Sequence, residues 1–398
     1  MLRFDKIVLQ IIYIHGYASC EINELYIGGL MEKDLGCRRV QCTGRESYII
    51  TLPKKWVQNV GLTRGCEVTF KQLDDLSLLL TPRNTNRENR KFMVKEYWMV
   101  IEPGDDAQSA CRKIKALYTV GADFIHVRLR DKDKNDFMNF KSAIKNFVRE
   151  MLLGSEIIDE TSNELTIQIL VKHPEFPVEK AIRRMAVLAL SADRDSLLAV
   201  EKMDKSLIRH VLSTCNDVNR LDAYVVRQLK FGVEQNLFRE LGFRTPKEFL
   251  AYRIMANDIK SIAENAKNVV NTVAAFRKHI ENETLFLREV IDTEVYCQIL
   301  DFNSMAHKMF EGSLKAAFKW DYQQADALFP QIESLETLGM ELTTILYSKK
   351  LDPNVSSILW MVLDGTKRIL EYSRDIAEVT LNKTVEDICT TQTPQLST

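Results

Sequence analysis

From Pro177 to about residue 386, apolar side chains return every three to four positions, the period of amphipathic helices packed on a core. The breaks predict six helices, over 179–204, 205–240, 246–280, 284–318, 321–349 and 353–383. Ahead of them the pattern shortens. Residues 94–171 read as a strand in "VKEYWMVIE", a helix in "DDAQSACRKIKALYTVG" ended by Gly121, and a strand in "FIHVRL". A helix in "KNDFMNFKSAIKNFVREMLLG" ended by Gly154 follows, then a hairpin of "EIIDE" with "ELTIQILV". This is a small α/β sandwich, in which His126 reads as structural. Residues 38–81 are shorter again: strands in "RRVQCTG" and "SYIIT" about a break at Gly44, then a helix over 53–60 opened by Pro53 and stopped at Gly61. A turn at Thr63-Arg64-Gly65, a strand over 66–72, a turn at Asp74-Asp75 and a strand over 76–81 complete it. A module of ~45 residues makes a weak core alone, so an intertwined homodimer is expected.

The helical half repeats. "TPKEFLAYRIMANDIKSIAENAKNVV" from Thr245 aligns without gaps on "DPNVSSILWMVLDGTKRILEYSRDIA" from Asp352, at an offset of 107. Each opens with an N-cap residue followed by Pro. Each carries Lys-x-Ile-x-Glu, as Lys260, Ile262, Glu264 and Lys367, Ile369, Glu371. Upstream, "KMDKSLIRHVL" matches "KWDYQQADALF" at an offset of 117. Two copies of three helices follow, each able to close a bundle on its own core.

Composition adds exclusions. The 398 residues are 45% hydrophobic and 27% charged, with net charge −1, as in an ordinary globular protein. Eight scattered cysteines form no C-x-x-C, which fits reduced thiols in a cytoplasm. No H-E-x-x-H, G-x-x-x-x-G-K-[ST], G-x-S-x-G or G-x-G-x-x-G occurs, so neither an enzyme nor a cofactor is expected. No run is apolar for ~18 residues, so no membrane insertion is expected. "KIVLQIIYIHGYASC" has the length of a signal h-region but lacks a basic start and an A-x-A site. Met31 opens a more polar start, and residues 1–30 read as an upstream extension of the reading frame or an arm.

Charge is uneven. Residues 37–91 hold eleven cations against five anions, +6, which leaves −7 for the remainder. A basic small module on an acidic body is an electrostatic footprint for nucleic acid. Within it, Lys54 and Lys55 follow Pro53 at a helix start, where the helix dipole disfavours cations. An anion such as phosphate at that helix start would explain them.

"RRVQCTG…YIITLPKKWVQNVGLTRGCEVTF" resembles the SpoVT/AbrB swapped-hairpin family of DNA-binding domains. The resemblance implies a homodimer that meets the DNA backbone through Arg38, Arg39, Arg45, Lys54 and Lys55. The loop after Gly44 is longer than in many members, which bears on Arg45. "LLAVEKMDKSLIRHVLSTCNDVNRLDAYVVRQL", "DIKSIAENAKNVV" and "TKRILEYSRDIAEVTLN" resemble the PhoU family of phosphate-uptake regulators, built from tandem three-helix bundles. The order of modules resembles archaeal regulators that fuse the two. That family often carries [DE]-x-x-x-D pairs that hold metal clusters. Here Lys260 and Lys367 stand where the first acid belongs, and Cys215-x-x-x-Asn219 with Asp217 near occupies the second helix. Lys260–Glu264 and Lys367–Glu371 therefore read as helix ion pairs, with no metal site expected, and His279 and His307 as helix-surface residues.

The expected fold is multidomain and mostly α. Residues 1–36 are an extension, 37–83 the swapped-hairpin β module and 92–172 the small α/β domain. Residues 179–282 and 283–386 are tandem PhoU-like three-helix bundles, and 387–398 a tail. The expected function is a cytoplasmic, non-enzymatic regulator of phosphate uptake and homeostasis that binds DNA. The alternative is an adaptor whose bundles dock on a phosphate transporter ATPase or a sensor kinase while the hairpins only dimerise. A metal-dependent enzyme is the third reading.

Overall fold

The computed structural model describes residues 37–43, 47–72, 77–82, 94–102, 105–130, 134–171, 176–235, 238, 241–243, 245–281 and 293–389. The expectations for residues 1–36, for Arg45 and for the turn at Asp74-Asp75 lie outside them. The chain divides into two compact units, 1–90 and 91–398.

In the first unit, β1 (Gln41–Thr43) pairs antiparallel with β2 (Ser47–Ile49), and β3 (Val68–Gln72) with β4 (Leu78–Pro82). Between the hairpins lies the short helix α1 (Lys54–Asn59). Pro53 occupies the N-cap with extended φ/ψ, so Lys54 and Lys55 are the first two helical residues. Gly61, at φ +67°, takes the left-handed turn after the helix that a side chain would resist. Each pairing is a separate two-stranded sheet.

The second unit begins with β5 (Glu96–Ile101), α2 (Ala107–Thr119), β6 (Phe124–Leu129), α3 (Lys134–Met151), β7 (Ser155–Glu160) and β8 (Glu164–Ile169). Strand order is β5-β6-β8-β7, with β5 and β6 parallel and the other pairs antiparallel. Alternation sends Met99, Ile101, Ile125, Val127, Leu165 and Ile167 inward. There they share one core with Ile114 and Tyr118 of α2, Ile144 and Val148 of α3, and Leu152 just past the end of α3. Asp106 caps α2 by accepting from the backbone N–H of Gln108 and Ser109. Gly154 stands at φ +67°, and a Cβ there would lie 1.7 Å from Val171 Cγ2, so only glycine fits.

The helices follow. α4 (Val178–Lys202), α5 (Lys205–Gln235) and α6 (Glu248–Glu281) form the first bundle. α7 (Thr293–Lys319), α8 (Tyr322–Asp326), α9 (Phe329–Ser348) and α10 (Pro353–Ile388) form the second. The helix expected over 321–349 is broken: Pro330 has no N–H to give and its ring excludes the carbonyl one turn back, so α8 stops and α9 restarts. The two N-cap expectations also diverge. Asp352 caps α10 through the N–H groups of Asn354 and Val355. At Thr245 the chain makes tight turns instead, with Glu248 N–H bonded to Thr245 O and Phe249 N–H to Pro246 O, and α6 starts only at Glu248. These turns accompany the edge-on packing of Phe249 against Phe243, ring centroids 4.8 Å apart. The copies also do not keep separate cores. α6 packs on α10, and one hydrophobic core runs from Val178 to Ile376.

The α/β domain is bolted to the first bundle. Arg227 of α5, 1% exposed, donates through Nη1 to the carbonyls of Tyr118 and Ala122, both at 2.8 Å. Its Nη2 lies 3.6 Å from Asp123 Oδ1, and Ala223 of α5 belongs to the α/β core.

Candidate nucleic-acid interface

The first unit combines exposed cations with an unfilled interior. Arg38 and Arg39 are exposed just ahead of β1, where Arg38 Nη1 donates to the carbonyl of Cys37 at 2.9 Å. Lys54 and Lys55 are exposed at the start of α1, which has no side-chain cap and no acid in its first turn. Those amide N–H groups and both ammonium groups are therefore available to one anion-bearing partner. Arg64, one of the cations of the basic module but not among the expected site residues, is exposed at the turn beside Gly65. Nearby, the Cys66 thiol is drawn below its usual pKa by hydrogen bonds with Thr63.

Apolar groups show what is missing. Tyr48 is 77% and Phe70 59% exposed, and Val40, Ile49, Ile50, Leu78 and Leu79 are exposed too. No described residue of the unit is buried. Two-stranded hairpins are marginal in water, and β-branched and aromatic residues standing in solvent on both call for a covering surface.

In the second unit, among the described residues, no group of three or more His, Cys, Asp or Glu is placed to hold a metal ion. No described helix is long and apolar enough to cross a membrane.

Two family models match. One, described as antidote-toxin recognition MazE, bacterial antitoxin, covers residues 41–88, from β1 to just past β4. The other, described as PhoU domain, covers residues 182–273, nearly all of α4 to α6. Residues 182–273 are thus similar to a PhoU domain. Among solved structures the chain is similar to PhoU from Pseudomonas aeruginosa, at 18% identity and TM-score 0.40, over 51% of this chain and 93% of that one. It is also similar to the phosphate transport system regulatory protein PhoU from Streptococcus pneumoniae, at 13% identity and TM-score 0.41, over 52% of this chain and 94% of that one. No curated protein matches.

Polar clusters of the second unit differ from the expectation. Neither expected lysine–glutamate pair closes among the described residues. Lys260 Nζ instead reaches Asp222 of α5 at 3.7 Å, and Arg253 Nη1 reaches the same carboxylate at 3.4 Å. Asp222 is buried, so its carboxylate gathers cations, and Lys260 turns to it rather than to Glu264 on its own helix. Lys115 of α2 adjoins this cluster, and burial followed by the nearby Lys260 holds its pKa below the ordinary value. Glu264 accepts from Asn219 Nδ2 at 2.8 Å. Cys215 donates to the carbonyl of Ala263, and burial pushes its thiol up to about 12. His126 of β6 lies stacked under Trp98, with centroids 3.9 Å apart.

His307 is not a surface residue. It is buried, with Nε2 2.8 Å from Oδ2 of Asp193 of α4. Asn303 Nδ2 donates to the same oxygen at 2.8 Å and lies 3.1 Å from Thr366 Oγ1. One carboxylate of α4 thus gathers α7, which in turn touches α10. The signal available in sequence was the Asn303-x-x-x-His307 spacing on an apolar helix face.

Proposed function

We propose that this chain is a cytoplasmic, dimeric regulator of phosphate uptake and phosphate homeostasis, not an enzyme, that binds DNA through residues 37–83. The observation that carries the reading is a basic, coreless pair of hairpins placed ahead of a PhoU-like domain. Two copies supply each other's missing interior by covering Tyr48, Phe70 and their neighbours. Arg38, Arg39, Lys54 and Lys55 of each copy then contact backbone phosphates, and Arg45, outside the described residues, is a further candidate by its sequence position. The dimer would owe its affinity mainly to phosphate, since α1 has six residues and is too short to fill a major groove. In this reading 37–83 is the DNA-binding and dimerisation module, 92–172 a linking α/β domain, and 179–282 and 283–386 the tandem bundles. Residues 1–36 and 387–398 flank them.

The test is fluorescence anisotropy of labelled duplex DNA with the full chain across a salt series. Binding that weakens steeply with salt supports the reading. No binding at low salt overturns it and favours an adaptor that docks its bundles on a transporter ATPase or a sensor kinase.

A further inference from the structure

The two outer strands of the four-stranded sheet are built differently. β7 is defended in the way natural edges are: a bulge between Ile157 and Asp159 interrupts its register, and Glu156, Asp159 and Glu160 line it. β5 has none of this. It runs six residues, "EYWMVI", with no proline, glycine or lysine and one acid at its start. On the sheet face away from the helices, Trp98 is 61% and Val100 43% exposed.

The hydrogen bonds show which backbone groups are free. The carbonyls of Lys95 and Ile101 accept from Phe124 and Arg130, at either end of β6, and Lys95 N–H donates to Asp123. Odd-numbered positions of β5 therefore face β6. By strand alternation, the N–H and C=O of Glu96, Trp98 and Val100 face outward, away from the sheet. An apolar edge strand with its amides presented is a ready template for pairing with another strand.

We infer that β5 pairs antiparallel with β5 of a second copy, so that the two sheets join into one of eight strands about a two-fold axis. The second copy is the occupant for two reasons. First, this rests on the hairpin dimer read above. Residues 83–95 join β4 to β5, a reach of at most ~45 Å, so a dimer made by the hairpins tethers the two β5 edges to one another and raises the effective concentration of each at the other. Second, the edge is complementary to itself. Outward-facing groups match when even positions oppose even positions. The register centred on Trp98 sets Trp98 against its copy, Glu96 against Val100 and Tyr97 against Met99. The register centred on Met99 would set Glu96 against Glu102, a like-charge pair, and is disfavoured. An isologous contact of this kind closes at two copies and leaves no open edge for a third.

The decisive variant is Val100→Pro. It removes an outward N–H and leaves the ladder to β6 intact, because proline is tolerated on an edge whose N–H faces away from the sheet. Sedimentation over a dilution series gives the dimer dissociation constant of the full chain, of Val100→Pro, of Tyr48→Glu in the hairpin module, and of the double variant. Hydrogen exchange reads the 94–102 amides in dimer and monomer. Expected are weakening of about tenfold or more by Val100→Pro with an unchanged melting temperature, and amides at Trp98 protected only in the dimer. Weakening by Tyr48→Glu alone, with Trp98 amides exchanging freely in the dimer, overturns the β5 pairing and leaves the hairpin dimer standing. Weakening by Val100→Pro alone supports the pairing while the hairpin dimer fails. A melting temperature lowered by Val100→Pro would shift the decision to Trp98→Glu and to the exchange of the wild-type amides, where free exchange at every concentration overturns the pairing. Protection that appears only on adding DNA overturns it as well, in favour of nucleic acid on the sheet.

Discussion

Asp193 of α4 and His307 of α7 meet 2.8 Å apart, both buried, across the boundary between the two repeats. The carboxylate has no water to fall back on, so its partners are worth more than a surface pair would be. His307→Leu leaves Asp193 Oδ2 with the Asn303 amide as its donor. The expected loss is ~3 kcal/mol in unfolding free energy, read as a lower urea midpoint with little change in slope. The double variant Asp193→Leu with His307→Leu should recover part of that loss, because it removes the stranded charge. A loss below ~0.5 kcal/mol for His307→Leu would show that the pair contributes nothing.

Asp258 of α6 gives the fold a pH dependence. It is buried, its Oδ2 is unpartnered, and burial with Asp375 of α10 beside it pushes its carboxyl from 3.8 up to about 7, against Asn257 and Arg253. Between those values the folded chain holds a proton that the unfolded chain has released. Stability contributed by this group is therefore full below about pH 4 and is lost as pH rises toward 7. Asp258→Asn should flatten that part of the stability profile, and urea melts at pH 5 and pH 8 check it. An equal slope in wild type and variant would refute the assignment.

Lys54→Ala with Lys55→Ala should weaken DNA binding uniformly across sequences. In a dimer up to four phosphate contacts disappear, so the slope of log K against log salt should become shallower by roughly 2–4. Stability should hold or rise slightly, since two cations leave a helix start. An unchanged slope would place the contact surface elsewhere on the hairpins.

Two helical glycines should respond with opposite signs. A Cβ at Gly232 would lie 2.4 Å from Leu241 Cδ1 and 2.8 Å from Phe249 Cζ, both on buried side chains. Gly232→Ala should cost about 1–3 kcal/mol. At Gly365 the nearest atom is Asn265 Cβ at 3.8 Å, so Gly365→Ala should stabilise by about 0.5–1 kcal/mol through helix propensity. Thermal melts of the two variants moving in the same direction would contradict the packing argument.

The sequence made some features readable and hid others. Strand β6 and the hairpin of β7 and β8 stood out because one face of each is apolar, and Asp352-Pro353 announced α10 because its cap is local. Arg227 gave no sign of its burial and His307 only its spacing from Asn303, for the opposite reason. A buried cation and a buried imidazole look like surface residues until the elements that supply their partners arrive from 109 and 114 positions away. The lysine of Lys260-x-x-x-Glu264 was misplaced for the same cause, since a buried Asp222 on another helix outcompetes a solvated neighbour. In the hairpin module the cations were legible, but the surface they form is not, because in the proposed dimer half of it belongs to a second chain.

The packing of α6 on α10 also sets an order of assembly. α4, α5 and α6 are consecutive and pack on one another, so their contacts are local in sequence and close early. The seam between α6 and α10 joins repeats offset by 107 residues and must wait for the whole second bundle. While the chain is being synthesised, the first three helices can therefore fold with the α10-facing side of α6 still bare. In that interval the nascent protein presents an adhesive surface that the finished one has buried, and its yield should depend on how quickly residues 353–388 follow from the ribosome.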